Sequence, residues 1–187
     1  MKILVNISEA QKFINEFDND PKLKLHEDTL NMLVKQYPKN NKEEEVLVKV
    51  CCVNQFYSTQ IKAIEKITKH ILNVDFDNRI KQGDLSLVES IADRTQNILG
   101  RDSYVFASKY CSFHNPKAFA IYDKYVGKML KHLKKQDKFY AFKANDLRNY
   151  EKYLEILKEF KDFYNLQKYS LKEIDKFLWK AGKHYFN

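Results

Sequence analysis

Glycine and proline are scarce in this 187-residue chain, at 4 and 3 residues. A turn-rich β architecture uses both freely, so their scarcity favours helices joined by short connections. Cysteine is sparse as well. Cys51 and Cys52 are adjacent, and Cys111 is left over from any pair. Adjacent cysteines rarely bridge, and an odd count suits a reducing cytoplasm better than a disulfide scaffold. No Cys-x-x-Cys or Cys/His ligand spacing occurs, so neither a metal nor a cofactor is expected. Long apolar runs are also missing. The longest, from Val46 to Val53, is interrupted by Lys49 and falls far short of the roughly 20 residues that span a bilayer. The apolar part of the N-terminal segment is too short for a signal peptide. The expected place is therefore the cytoplasm, with no membrane partner.

What is present is enough for a core. Hydrophobic residues make up 44% of the chain and aromatics 14%, while 31% are charged and mixed in sign. That balance fits one globular domain. The charge is placed unevenly. Residues 1–100 carry 14 Lys and Arg against 15 Asp and Glu; residues 101–187 carry 19 against 10, so the net +8 resides in the C-terminal half. A basic half behind a neutral one suggests a surface that faces a polyanion, nucleic acid being the common case. A lysine-rich solubilising surface would have the same composition.

Helical periodicity and start signals place about nine helices and no convincing strand. The class is all-α, a single helical domain over 1–187 with N-terminal helices in 1–40 and the main core in 41–187. Ser8 and Gln11 frame a capping box, with Ala10, Phe13, Ile14 and Phe17 on one face. A short helix is expected from about Asp28 to Gln36. The segment after Asn41 opens with acids and is apolar nearly all round from Val46 to Val53, the pattern of a central helix. Ser58 is positioned to cap a helix carrying Ile61, Ile64, Ile67, Ile71 and Leu72. Asn73–Asp84 reads as a loop. Leu85–Leu99 reads as an amphipathic helix stopped by Gly100, and Asp102 or Ser103 as the cap of the next. Asp123, Asp146 and Ser170 mark three later helix starts, the last with Glu173 as a second capping box.

The stretch Phe106–Val126 carries the most chemistry. Lys109 lies among Phe106, Tyr110 and Phe113, and Asp123 stands directly before a helix. An N-cap aspartate accepts backbone N–H bonds, which hold it ionised. Its ordinary role is that cap; its apolar approach, Lys117–Tyr122, would also suit a carboxylate held in a low-water cleft. Lys109 has two readings. One is a lysine that lays its stem on apolar surface and keeps its head in water. The other is a partly desolvated amine, neutral enough to act as a nucleophile.

This layout resembles the helix-hairpin-helix superfamily of DNA glycosylases, closest to the 8-oxoguanine group. There a lysine follows a hairpin and an aspartate caps the next helix. Here Lys109-Tyr110-Cys111 resembles the lysine segment, and Ile121–Val126 resembles the aspartate segment, 14 residues on. Cys51–Ile61 resembles the break between two early helices whose side chains fill the gap left by a flipped base, and Ile174–Trp179 is similar to the closing helix. The glycines usual before the lysine are replaced by Phe106-Ala107-Ser108, so the hairpin is degenerate or Lys109 lies inside a longer helix. The resemblance implies a monomeric, nucleoid-associated glycosylase/lyase acting on duplex DNA with a damaged base, an oxidised purine. Lys109 and Asp123 would be catalytic. Asn54, Phe56 and Tyr57 would fill the vacated stack, and Arg101, Lys124 and Lys128 would contact phosphates. A catalytically silent DNA-binding module on this scaffold and a helical protein-interaction domain are the alternatives.

Overall fold

The computed structural model describes residues 2–92 and 103–187. Ten α-helices and one 3-10 turn occur among the described residues, with no strand, so the all-α expectation holds. The helices are α1 (Ile7–Asp18), α2 (Pro21–Gln36), α3 (Glu43–Phe56), α4 (Ile64–Asn73) and α5 (Phe76–Gln82). They continue with α6 (Ser86–Ala92), α7 (Tyr104–His114), α8 (Lys124–Asp137), α9 (Tyr150–Phe163) and α10 (Leu171–Phe186). The 3-10 turn spans Ala144–Arg148. Among the described residues no helix is long and apolar enough to cross a membrane.

The chain folds into two compact units, one formed by 1–24 with 122–187 and the other by 25–121. In the first, α10 packs against both α1 and α8. Phe13 meets Phe177 with ring centroids 6.1 Å apart, and Phe17 sets its ring edge-on to Trp179 at 5.7 Å. Salt bridges Lys176–Asp18 (2.7 Å) and Lys180–Asp20 (3.5 Å) fringe the α1 side. The α8 stripe Val126, Met129, Leu130 and Leu133 is buried as its period requires. Gly182 is buried where α10 meets α8; a Cβ there would lie 2.7 Å from the Tyr125 carbonyl oxygen. Glycine is what lets the two helices approach this closely.

In the second unit, α3 packs on α4 and α7, and α6 packs on α7. Helix α3 is not buried all round. Val46, Lys49, Val50 and Val53 face inward, whereas Val48 and Cys51 are exposed. The inward positions follow i, i+3, i+4, i+7, so Lys49 does not interrupt the core stripe but stands on it.

Several helix boundaries differ from those expected. Asn6, not Ser8, caps α1, accepting from Glu9 N at 2.9 Å. Helix α2 begins at Pro21 instead of near Asp28, because Asp20 accepts from the Lys22 and Leu23 amides. Ser58 does not cap a helix. It and Gln60 adopt positive φ, 49° and 59°, and α4 starts only at Ile64. The expected Asn73–Asp84 loop contains α5, which buries Phe76 and Ile80 and ends at Gly83 with φ 70°. Only two apolar residues one turn apart marked it. Asp146 closes the 3-10 turn by accepting from Lys143 N at 2.6 Å, and Asn149 caps α9 in its place. The Ser170–Glu173 capping box forms as expected. Ser103 precedes α7 without a side-chain capping bond. Gly100, Asp102 and the end of the expected Leu85–Leu99 helix lie outside the described residues.

Candidate functional site

Lys109 occupies the second turn of α7, a helix that runs unbroken from Tyr104 to His114. Phe106, Ala107 and Ser108 are therefore helical and buried, with Ser108 Oγ donating to the Val105 carbonyl at 3.0 Å. Of the two possibilities before Lys109, a degenerate hairpin or a longer helix, the chain adopts the longer helix. The reason is local. Phe, Ala and Ser carry no penalty in a helical turn comparable to that of glycine, and the aromatic rings are buried by staying helical.

The Lys109 side chain is only 4% exposed. Its Nζ donates to the Tyr57 carbonyl at 3.3 Å and lies 5.1 Å from the centroid of the Tyr57 ring. Two residues 52 positions apart in sequence thus meet. A carbonyl dipole and the negative face of a π system both favour a cation, so the ammonium has partial compensation for leaving water.

The break that presents Tyr57 is organised by Asn54. Its Oδ1 accepts from Ile61 N (2.8 Å) and Thr59 Oγ1 (2.7 Å), and its Nδ2 donates to the Ile61 carbonyl (3.1 Å). These bonds replace the helix ladder that Ser58 and Gln60 abandon. Phe56 stacks on His26 at 4.3 Å with the rings 7° from parallel. Both rings are half-buried.

Asp123 belongs to the other unit and caps α8, its Oδ1 accepting from Tyr125 N at 2.9 Å. Lys124 and Lys128 lie over the Tyr125 ring, 6.0 and 5.6 Å from its centroid, and Lys128 Nζ also donates to the Phe186 carbonyl at 3.0 Å. Arg101 lies outside the described residues. No group of His, Cys, Asp and Glu able to hold a metal ion occurs among the described residues.

Sequence reasoning passed over a buried polar cluster in the second unit. Lys49 is fully buried and donates to the Tyr37 and Lys39 carbonyls at 3.0 and 2.7 Å. Desolvation lowers its pKa to about 8, against the pull of Asp77 and Glu45. Asp77 accepts from Asn40 N through both oxygens and from Asn40 Nδ2, while Asn40 Oδ1 accepts from Tyr110 Oη at 2.6 Å. Burial raises the Tyr110 hydroxyl well above its usual range and pushes the Cys111 thiol up. His114 is held well below its usual value by burial and then by the Lys49 charge, and its Nε2 has no hydrogen-bond partner among the described residues. The cluster anchors α3, the 37–40 loop, α5 and α7 to one another. Its one legible sign was a lysine at a core position of the α3 stripe.

Comparison with known proteins gives a family but no activity. A family model named HI_0787_N, described as an N-terminal domain, matches residues 9–118. That span takes in Lys109, Tyr57 and Lys49 and ends before Asp123. A Haemophilus influenzae protein described as "Uncharacterized protein" is 46% identical over 144 residues, 76% of this chain and 69% of that protein. No solved structure matches. The chain belongs to the HI_0787_N family.

Proposed function

We propose that this chain is a DNA glycosylase with lyase chemistry, of the helix-hairpin-helix type with a longer helix, α7, in place of the hairpin before Lys109. It would act on duplex DNA carrying a damaged base, an oxidised purine. The observation that carries the reading is Lys109, a nearly buried amine set against the carbonyl and ring of Tyr57 at the α3–α4 break. A nucleophilic lysine needs such partial removal from water. In this reading the duplex is gripped by basic side chains of the C-terminal half, Lys124 and Lys128 among them, and the damaged nucleotide is flipped out, which costs a few kcal/mol. Tyr57 and Phe56 fill the vacated stack, and Asn54 holds the break that presents them. Lys109, once its ammonium has given up a proton, attacks C1′, forming a C–N bond as the glycosidic bond breaks and the base departs with the bonding pair. Asp123 stabilises the positive charge that develops on the sugar. The C1′–O4′ bond then breaks as the attached nitrogen forms a C=N bond and O4′ takes up a proton, and the open-chain Schiff base permits β-elimination and strand nicking.

Borohydride trapping on duplexes containing 8-oxoguanine or an abasic site tests this. A covalent protein–DNA adduct that disappears in Lys109→Gln is the expected result. Duplex binding without any adduct, on either substrate, would sink the enzymatic reading. One observation favours that second outcome: α7 keeps the segment before Lys109 helical, so the backbone amides of a glycine hairpin are not presented to a phosphate there. The protein would then be a DNA-binding module on the same scaffold.

A further inference from the structure

Helix α8 sets Lys124, Lys128, Lys131, Lys134 and Lys135 against a single acid, Asp137. Four of these lysines, Lys124, Lys128, Lys131 and Lys135, stand at i, i+4, i+7 and i+11, which places them in one row along the helix. The row lies opposite the buried stripe of Val126, Met129, Leu130 and Leu133. Lys124, Lys131 and Lys135 are exposed and Lys128 is half-buried. None of the four makes an ion pair among the described residues. Lys128 Nζ gives one hydrogen bond to the Phe186 carbonyl, and an ammonium has further N–H groups to offer. Asp137 is engaged elsewhere, accepting from Tyr164 Oη at 2.6 Å and from Gln136 Nε2 at 2.9 Å.

Folding does not account for the row. The helix dipole favours cations in the last turn, which covers Lys135, but disfavours them in the first, where Lys124 stands and no acid accompanies it. Lys124 with Lys128, and Lys131 with Lys135, are like charges four residues apart, an arrangement that weakens a helix. Solubility does not account for it either. Helix α9, equally long and in the same unit, mixes Glu151, Glu155, Glu159 and Asp162 with Lys152, Lys158 and Lys161. Such a mixture keeps a helix face in water without self-repulsion. A row of one sign is complementary to a polyanion.

The surroundings select among polyanions. The exposed large apolar residues among those described are Leu4, Ile7, Leu25, Met32, Val48 and Phe163, and none is on α8. The row therefore has no apolar edge with which to enter a bilayer. Single strands are held by rings on which bases stack. Both rings of α8 are engaged: Tyr125 has Lys124 and Lys128 over it and donates its hydroxyl to Asn187 Oδ1 at 3.0 Å, and His132 packs on Phe186 at 5.5 Å. A duplex keeps its bases inside and presents phosphates, the chemistry that the row meets. We infer that α8 docks along the backbone of duplex DNA through Lys124, Lys128, Lys131 and Lys135, without reading sequence. At a rise of about 1.5 Å per residue the row is about 17 Å long, and a duplex carries one charge per about 1.7 Å of axis, so several phosphates face it. The inference rests on the duplex-binding part of the proposed function, extends that grip to Lys131 and Lys135, and is independent of chemistry at Lys109.

The test is fluorescence anisotropy of the full chain with a short, labelled, undamaged duplex over a range of salt concentrations. Single-stranded DNA of the same length and vesicles containing phosphatidylserine are titrated alongside. The variants are Lys131→Gln/Lys135→Gln, Lys124→Gln, and Lys158→Gln/Lys161→Gln as an equal loss of charge from α9. Each phosphate contact contributes about 0.9 to the slope of log affinity against log salt, so the slope should become shallower by about 2 in Lys131→Gln/Lys135→Gln and by about 1 in Lys124→Gln. Lys158→Gln/Lys161→Gln should keep the native slope. Absence of duplex binding at low salt overturns the inference. So do native slopes in both α8 variants, or an equal loss in the α9 variant. Tighter binding to the single strand or to the vesicles than to the duplex overturns it as well, by naming a different occupant. Because the duplex is undamaged, the slope is read apart from borohydride trapping at Lys109. A slope that falls as expected with no adduct leaves the row in place and ends the glycosylase reading; an adduct with unaltered slopes does the reverse.

Discussion

Raising the pH from 7.5 to 10 should stabilise this protein through Lys49. The side chain is fully buried, and its pKa is about 8 in the folded chain against an ordinary 10.5. Between those values the unfolded chain keeps the proton and the folded chain has released it. The unfolded state therefore binds more protons, and stability rises with pH across that window. The full difference corresponds to about 3 kcal/mol at 1.36 kcal/mol per pH unit. The Tyr37 and Lys39 carbonyls hold the ammonium and oppose its deprotonation, which brings the expected gain to about 1–3 kcal/mol. A neutral amine still has two N–H groups, one for each carbonyl, so deprotonation need not break either bond. The assay is urea unfolding at several pH values, comparing the native chain with Lys49→Met. Met matches the stem but leaves both carbonyls without a donor, so its baseline stability should drop by about 2–4 kcal/mol. Exposed lysines and tyrosines titrate in both proteins and cancel in the difference. The stability advantage of the native chain over Lys49→Met should grow from pH 8 to pH 10. An advantage that stays flat or shrinks would refute the placement of this ammonium in a water-poor site.

Three further outcomes follow from the geometry. Gly182→Ala should cost about 1–3 kcal/mol in chemical denaturation, because the new Cβ meets the Tyr125 backbone oxygen at 2.7 Å, an atom that cannot swing away. Asn54→Ala removes three bonds that tie Thr59 and Ile61 to the end of α3; stability should fall by about 1–3 kcal/mol, and amides around Ile61 should lose hydrogen-exchange protection first. Asp123→Asn keeps an oxygen to accept from Tyr125 N, so hydrogen-exchange protection of that amide should persist in the variant. Under the proposed function the same change should abolish base excision, and undiminished excision would remove Asp123 from the mechanism.

Wherever a helix carried a full apolar stripe, its period was legible in the chain. The α1, α8 and α10 stripes are long enough for the 3.6-residue repeat to dominate, and the Ser170–Glu173 box marked its helix start without tertiary help. Short or competing signals were not legible. α5 rests on Phe76 and Ile80 alone, and its polar remainder resembles a loop. Ser58 has the chemistry of a cap, but Asn54 reaches around the break and takes the bonds at Thr59 and Ile61 instead. A side-chain competitor four residues upstream is invisible to a rule that reads only the candidate cap and its immediate successors.

The scarcity of glycine and proline, the periodic stripes and the uneven charge determined an all-helical chain with a basic C-terminal half. They also marked Asp123 as a cap, because capping is local chemistry read within three residues. Tertiary structure alone decided which charges leave water. Lys49 and Lys109 are both lysines in apolar surroundings; one is bonded to two loop carbonyls and the other rests on Tyr57, 52 residues away. The desolvation of an ammonium depends on everything packed around it, and those neighbours come from distant segments that no local pattern brings together.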